Sequence, residues 1–153
     1  AVIAASWDEV WRAFTTSAGW KGFAEVESRI GSVPGDPFEI YFSMEAPEGQ
    51  RGAEGCTIFS VVPGELFSFT WNAPPKFAHA RVRRTWVVVD FQPVSAMATR
   101  VRLRHFGHAE QAAANADHRE EWQQARAYFA AAWPRGIGAL GDHFAPAATR
   151  PPP

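Results

Sequence analysis

The sequence has 153 residues and a mass of 16.9 kDa, enough for one domain of ordinary size and too little for two independent cores. With 46% hydrophobic and 20% charged residues it excludes global disorder, and a formal charge of −1 with a pI of about 6.6 selects neither nucleic acid nor an anionic membrane as partner. A lone Cys56 excludes an internal disulfide, no apolar run reaches the ~20 residues of a membrane span, and no signal peptide opens the sequence, so a reducing cytoplasm is the expected compartment. The unusual feature is aromatic: 7 Trp, 12 Phe and 2 Tyr against 2 Met, rings that either fill a core or wall a cavity.

Ser6-Trp7-Asp8-Glu9 has the spacing of a capping box, which starts a helix whose apolar stripe is Trp7, Val10, Trp11 and Phe14. Thr15-Thr16, Ser17 and Gly19 close it, and residues 17–22 allow one more short turn. The period then changes to two over residues 24–30, 38–44, 54–62, 66–71, 82–91 and 100–106, with Gly- and Pro-rich turn chemistry between them. These segments predict six antiparallel strands in a meander, or seven with the fragment at 1–4. Residues 117–144 return to a helical period, with Trp122, Phe129, Trp133, Ile137, Leu140 and Phe144 on one stripe. Pro134 lacks the donor that would reach Ala130, so a kink or short break is expected there. Residues 1–146 are thus expected to form a single domain and 147–153 a Pro-rich mobile tail.

The order of these elements describes an α+β helix-grip fold, in which a curved antiparallel sheet of six to seven strands wraps a long C-terminal helix and one or two short helices lie near the N-terminus. Four motifs are more specific: Ser6-Trp-Asp-Glu-Val-Trp-Arg-Ala-Phe-Thr15 with Gly19-Trp20, Pro63-Gly-Glu-Leu-Phe-Ser-Phe-Thr-Trp71, Thr99-Arg-Val-Arg-Leu-Arg-His105, and Trp133-Pro-Arg-Gly-Ile-Gly-Ala-Leu140. Together they resemble the bacterial branch of the activator of heat-shock-protein-90 ATPase homologue family, within the START-like (SRPBCC) superfamily. The resemblance implies a helix-grip cavity between sheet and helix. It leaves function open, because that superfamily includes lipid carriers, hormone receptors, polyketide cyclases and co-chaperone domains.

On a concave sheet, alternation places Phe38, Ile40, Phe42 and Met44 inside, with Phe67, Phe69 and Trp71, Val87, Val89 and Phe91, and Val101, Leu103 and His105. Such a surface suits a small hydrophobic or aromatic ligand, and the residues expected to hold it are Phe42, Phe69, Trp71, His105, Trp122, Arg126 and Phe129. The same rings would equally fill the space as core. His105 at a strand end would bind a ligand, move a proton, or sit as an imidazole satisfied by the long helix. Arg126 would meet a carboxylate or lay its stem over the aromatics with its head in solvent, and Tyr128 falls at the border of the stripe.

Other chemistry lacks a pattern. His105 and His108 have no fixed facing geometry for a metal, His79 and His143 read as surface residues, and no metal or cofactor is expected. No Gly-x-Ser-x-Gly elbow or phosphate loop is present, and Cys56 reads as a small core residue. Arg100, Arg102 and Arg104 point away from the cavity, with Asp90 expected beside Arg100 and Trp86 beside Arg104. The expected function is binding of a small hydrophobic ligand. The alternatives are a co-chaperone-like interaction module contacting a chaperone, and a cyclase- or hydratase-like enzyme using His105. Nucleic acid and membrane are not expected partners, and the protein is expected to be a monomer or homodimer.

Overall fold

The computed structural model describes residues 1–146; the expected tail at 147–153 lies outside them. The chain opens with β1 (Val2–Ile3), α1 (Trp7–Thr15) and α2 (Ser17–Ala24). The capping box forms as the sequence requires: Ser6 Oγ accepts the Glu9 N–H at 3.4 Å, and Glu9 Oε2 accepts the Ser6 N–H at 3.0 Å. Thr16 ends α1 and caps α2 through the Gly19 N–H at 3.1 Å. The short turn expected after residue 17 is therefore a helix of 8 residues, which takes the first part of the expected strand 24–30.

Seven strands follow the expected order but form two sheets. β2 (Glu27–Ile30) pairs with β3 (Phe38–Tyr41), and the five-stranded antiparallel sheet runs β1, β7 (Ala98–Phe106), β6 (Thr85–Ser95), β5 (Leu66–Trp71), β4 (Ile58–Val62). The two meet at the bridge between Pro37 and Thr57, and Tyr41 bridges to Gly52 in the loop before β4. The expected strand 54–62 starts only at Ile58, because the Glu54 carboxylate captures the backbone N–H groups of Gly49 at 2.8 Å and Arg51 at 2.7 Å and ties that stretch into a loop. Gly52 is required in this loop, since a Cβ there would lie 2.1 Å from the Ile40 carbonyl oxygen.

α3 (Ala78–Arg81) and α4 (His108–Ala114) were not foreseen, and the first displaces the expected start of a strand at residue 82. A 3-10 turn over Ala116–His118 leads into α5 (Arg119–Phe144), which continues through Pro134 without the expected break. Ala130 and Pro134 are both exposed, so the carbonyl that loses its donor faces solvent. The β6–β7 register differs from expectation by two residues: Asp90 lies opposite Arg102 and Trp86 opposite Phe106. Arg104 pairs diagonally with Asp90 at 2.8 Å and lies over Phe106 rather than Trp86, with Arg100 bonded to Gln92.

The aromatic excess divides between two tasks. Phe14, Phe38, Phe67, Phe69 and Phe91 form a buried cluster between α1 and the sheet, with the Phe38 and Phe69 rings 4.1 Å apart at their centroids. A second group, Trp71, Trp133, Phe129, Tyr128 and Phe42, lies where α5 meets the far end of the sheet. Phe42 and Met44 are corrections to the expected interior: they are 58% and 51% exposed, because β3 ends at Tyr41 and the chain turns out into the loop.

Candidate functional site

The second aromatic group borders a half-open cavity of about 350 Å³ between α5 and the loops that follow β3 and β5. Its walls include Phe42, Trp71, Trp133, Tyr128 and Phe129, with Trp20 at the base. Each wall has a sequence cause. Alternation puts Trp71 on the same face as Phe67 and Phe69, and helical spacing puts Phe129 and Trp133 on the stripe of α5. Trp71 and Trp133 meet at 5.2 Å between centroids, which joins sheet to helix at the back of the cavity. Gly136 leaves open space above: nothing lies within 4 Å of the Cβ it lacks.

A one-turn latch shapes the rim. The side chain of Arg81, at the end of α3, is 12% exposed and donates to the carbonyls of Ala73 at 2.6 Å, Gly49 at 3.1 Å and Gly52 at 3.0 Å, with Glu54 at 3.7 Å. Burial pulls the Arg81 guanidinium below its usual range, and the Glu54 carboxylate opposes that pull. Asn72 adds donation to the Gly52 and Glu54 carbonyls at 3.2 and 3.3 Å. The loop closing the cavity is therefore held by side chains from the other side of its mouth. Sequence reading missed this role of Arg81. The available signal was the helix-forming Ala78-His-Ala-Arg81 after Pro74-Pro75.

A second, more open trough runs between β7 and α5, lined by Ala1, Leu103, His105, His108, Arg126, Phe129 and Trp133 among others. Phe129 and Trp133, stacked at 6.2 Å and 25°, form the partition between trough and cavity. The expected site residues are thus not one site. Phe42, Trp71 and Phe129 line the cavity, while His105 and Arg126 line the trough with the other side of Phe129. Phe69 is fully buried in the core cluster, and Trp122, 1% exposed, packs against His79 and His108 and lines neither space. Arg126 is exposed, as its solvated alternative required.

His105 has both ring nitrogens engaged. Trp133 Nε1–H donates to Nδ1 at 3.0 Å, which leaves the proton on Nε2 of the neutral ring, 2.8 Å from Thr85 Oγ1. Thr85 Oγ1 in turn donates to the Trp71 carbonyl at 3.2 Å. Burial, then the neighbouring His108, pushes the His105 pKa down to about 3. The ring is neutral at physiological pH and its hydrogen bonds run to the helix and the sheet. Neither nitrogen is left for a substrate. His79, expected at the surface, is half-buried and stacked on His118 at 3.5 Å. No cluster of three metal-ligating side chains occurs among the described residues, and none of their helices is long and apolar enough to cross a membrane. Cys56 is buried, with its thiol pushed up to about 11 by burial first.

A curved antiparallel sheet gripping a long C-terminal helix, with short helices near the N-terminus, defines a helix-grip domain of the START type. The comparisons carry this to a family: residues 4–133 match the family described as Activator of Hsp90 ATPase homolog 1-like protein, and the chain belongs to that family. Among solved structures it is similar to protein NE0264 from Nitrosomonas europaea, with 18% identity, a TM-score of 0.59 and coverage of 94% of this chain and 89% of that one. It is likewise similar to protein MLL2253 from Mesorhizobium loti, with 18% identity, a TM-score of 0.57 and coverage of 94% of both chains. The solution structure of the Aha1 dimer from Colwellia psychrerythraea matches with 18% identity and a TM-score of 0.47 over 84% of this chain and 88% of that one. No curated protein matches.

Proposed function

We propose that the protein binds a small hydrophobic or aromatic molecule in the cavity between α5 and the loops after β3 and β5. One observation carries this reading: a space of about 350 Å³ is walled by Trp71, Trp133, Phe129, Tyr128 and Phe42 at the edge of the phenylalanine core, which Trp71 and Phe129 join. Rings at the edge of that core face a hollow, which is the composition of a small-molecule pocket at the lower end of the usual range of about 300–1,000 Å³. The Arg81 latch supports it, since a loop fixed from across the mouth keeps the hollow open before a ligand arrives.

The test is calorimetric titration with small aromatic compounds, guided by thermal-shift screening, on the protein and on Gly136→Leu. Gly136 lines the cavity and nothing lies within 4 Å of its missing Cβ, so a leucine there adds bulk at the cavity wall without a clash at Cβ. Binding by the protein and its loss in the variant, with the melting temperature kept, supports the reading. Equal binding by both overturns it.

Family membership favours a second reading, a module contacting a heat-shock-protein-90 type chaperone. Its test is co-purification with the bacterial chaperone and stimulation of the chaperone's ATPase; absence of both removes it. A catalytic role with His105 as acid or base draws no support from the geometry, because Trp133 and Thr85 occupy its two nitrogens.

A further inference from the structure

We propose that the occupant of this cavity is an organic anion, a small aromatic or aliphatic acid whose carboxylate is gripped by Arg51. This rests on the cavity being a ligand site and names the chemistry of its ligand. Arg51 lines the cavity and is partly buried. Its backbone is fixed on both sides: its N–H donates to Glu54 Oε2 at 2.7 Å and its carbonyl accepts from the Ser43 N–H at 3.0 Å. The guanidinium is fixed too, by Nε–H donation to the Ala46 carbonyl at 3.2 Å. The two terminal nitrogens have no hydrogen bond or ion pair among the described residues. A positioned fork with its outer edge unused fits a carboxylate, which can accept two parallel N–H bonds.

Arg81, on the same rim, shows the contrast. Its nitrogens are spent on the carbonyls of Gly49, Gly52 and Ala73, and its charge faces Glu54. Glu54 is itself taken by Arg81 and two backbone N–H groups, and Glu45 and Glu48 lie exposed on the same loop without an ion pair to Arg51. Arg51 therefore keeps a positive charge without an ion pair beside an apolar hollow, where reduced solvent strengthens its pull on an anion, while the Lys76 ammonium lies over the Tyr128 ring at 4.8 Å. The aromatic walls formed by Trp71 and Trp133 receive the ligand's body, and the 350 Å³ volume limits that body to a small one.

The experiment is calorimetric titration of the full chain with 2-naphthylacetate and with 2-naphthylacetamide, which has the same shape and no charge. The carboxylate is expected to bind about tenfold more tightly. In Arg51→Gln the gap should close to within about twofold while affinity for the amide stays unchanged, which also reports that the pocket is intact. Arg51→Lys should restore part of the gap, because it returns the charge without the fork. Equal affinities in the unaltered protein, or a gap that survives in Arg51→Gln, overturn the anion assignment and leave the cavity reading standing. If neither compound binds, or Gly136→Leu binds both as well as the unaltered protein does, the cavity reading falls and the assignment with it.

Discussion

The indole N–H of Trp133 reaches Nδ1 of His105 at 3.0 Å and so fastens α5 to β7 at the partition between the cavity and the open trough. That one bond decides the tautomer of the histidine, takes away its basic nitrogen, and holds the ring that walls the cavity. It also makes His105 part of the scaffold that positions Trp133, with Thr85 and the Trp71 carbonyl completing the chain of hydrogen bonds.

Substituting Trp133→Phe keeps an aromatic wall and removes the donor. The Nδ1 lone pair is then left without its partner, and a loss of about 1–3 kcal/mol is expected from urea unfolding. Nitrogen chemical shifts of the His105 ring should also show the two tautomers mixing. An unchanged stability and a single tautomer would show that the bond holds nothing.

The pH dependence has a definite sign. His105 titrates near 3 in the folded protein and near the ordinary 6.5 when unfolded, so below about pH 6.5 the unfolded chain binds the extra proton. Stability is full above that pH and falls as pH drops toward 3, by up to about 1.4 kcal/mol per pH unit. Burial, and then Arg126, shifts His108 in the same direction. The His105 ring proton signals should not titrate between about pH 8 and 4; a midpoint near 6 would contradict the buried neutral ring.

Two glycines should respond oppositely to alanine. Gly52→Ala forces a methyl onto the Ile40 carbonyl oxygen at 2.1 Å, a backbone atom with no room to yield, and should cost about 2 kcal/mol or more. Gly138→Ala meets nothing within 4 Å in the interior of α5 and should stabilise by about 0.5–1 kcal/mol. Melting temperatures of the two variants decide the matter.

Arg81→Gln should loosen the rim without unfolding the domain. Amide exchange at Ser43 and Ala53, whose N–H groups bond the Arg51 and Ile40 carbonyls at 3.0 and 2.8 Å, is the measurement, with faster exchange expected there and not in β6. Protection unchanged at both amides would show that the loop stands without its latch.

Cys56, 1% exposed with its thiol raised to about 11, should resist a disulfide reagent at neutral pH until the protein is unfolded. Modification at the rate of a free thiol in the native protein would refute its burial.

The architecture was legible because its signals are local. The Ser6 and Glu9 spacing specified a helix start, and alternation assigned Phe38, Ile40, Phe67, Phe69, Val87, Val89 and Val101 to the buried face, all of which the structure buries. Even the mistaken β6–β7 register kept these faces, since a slip of two residues leaves the parity of a strand unchanged. Less legible were the elements set by distant partners. The loop that replaces the expected strand from residue 54, the latch of α3 and the engagement of His105 depend on contacts across up to 32 positions of sequence, as between Arg81 and Gly49.

By itself, then, the sequence determined the order of elements, the buried face of each and the family they resemble, because helix caps and side-chain periods act between neighbours. Only the tertiary structure decided which rings became core and which became wall. Phe69 and Trp122 carry the same pattern as Trp71 and Phe129, yet the first pair is sealed in and the second faces the hollow. The difference lies in where the 42–52 loop and α5 come to rest, and that is set by close packing and by the few donors of Arg81 and Trp133 that bind across the chain.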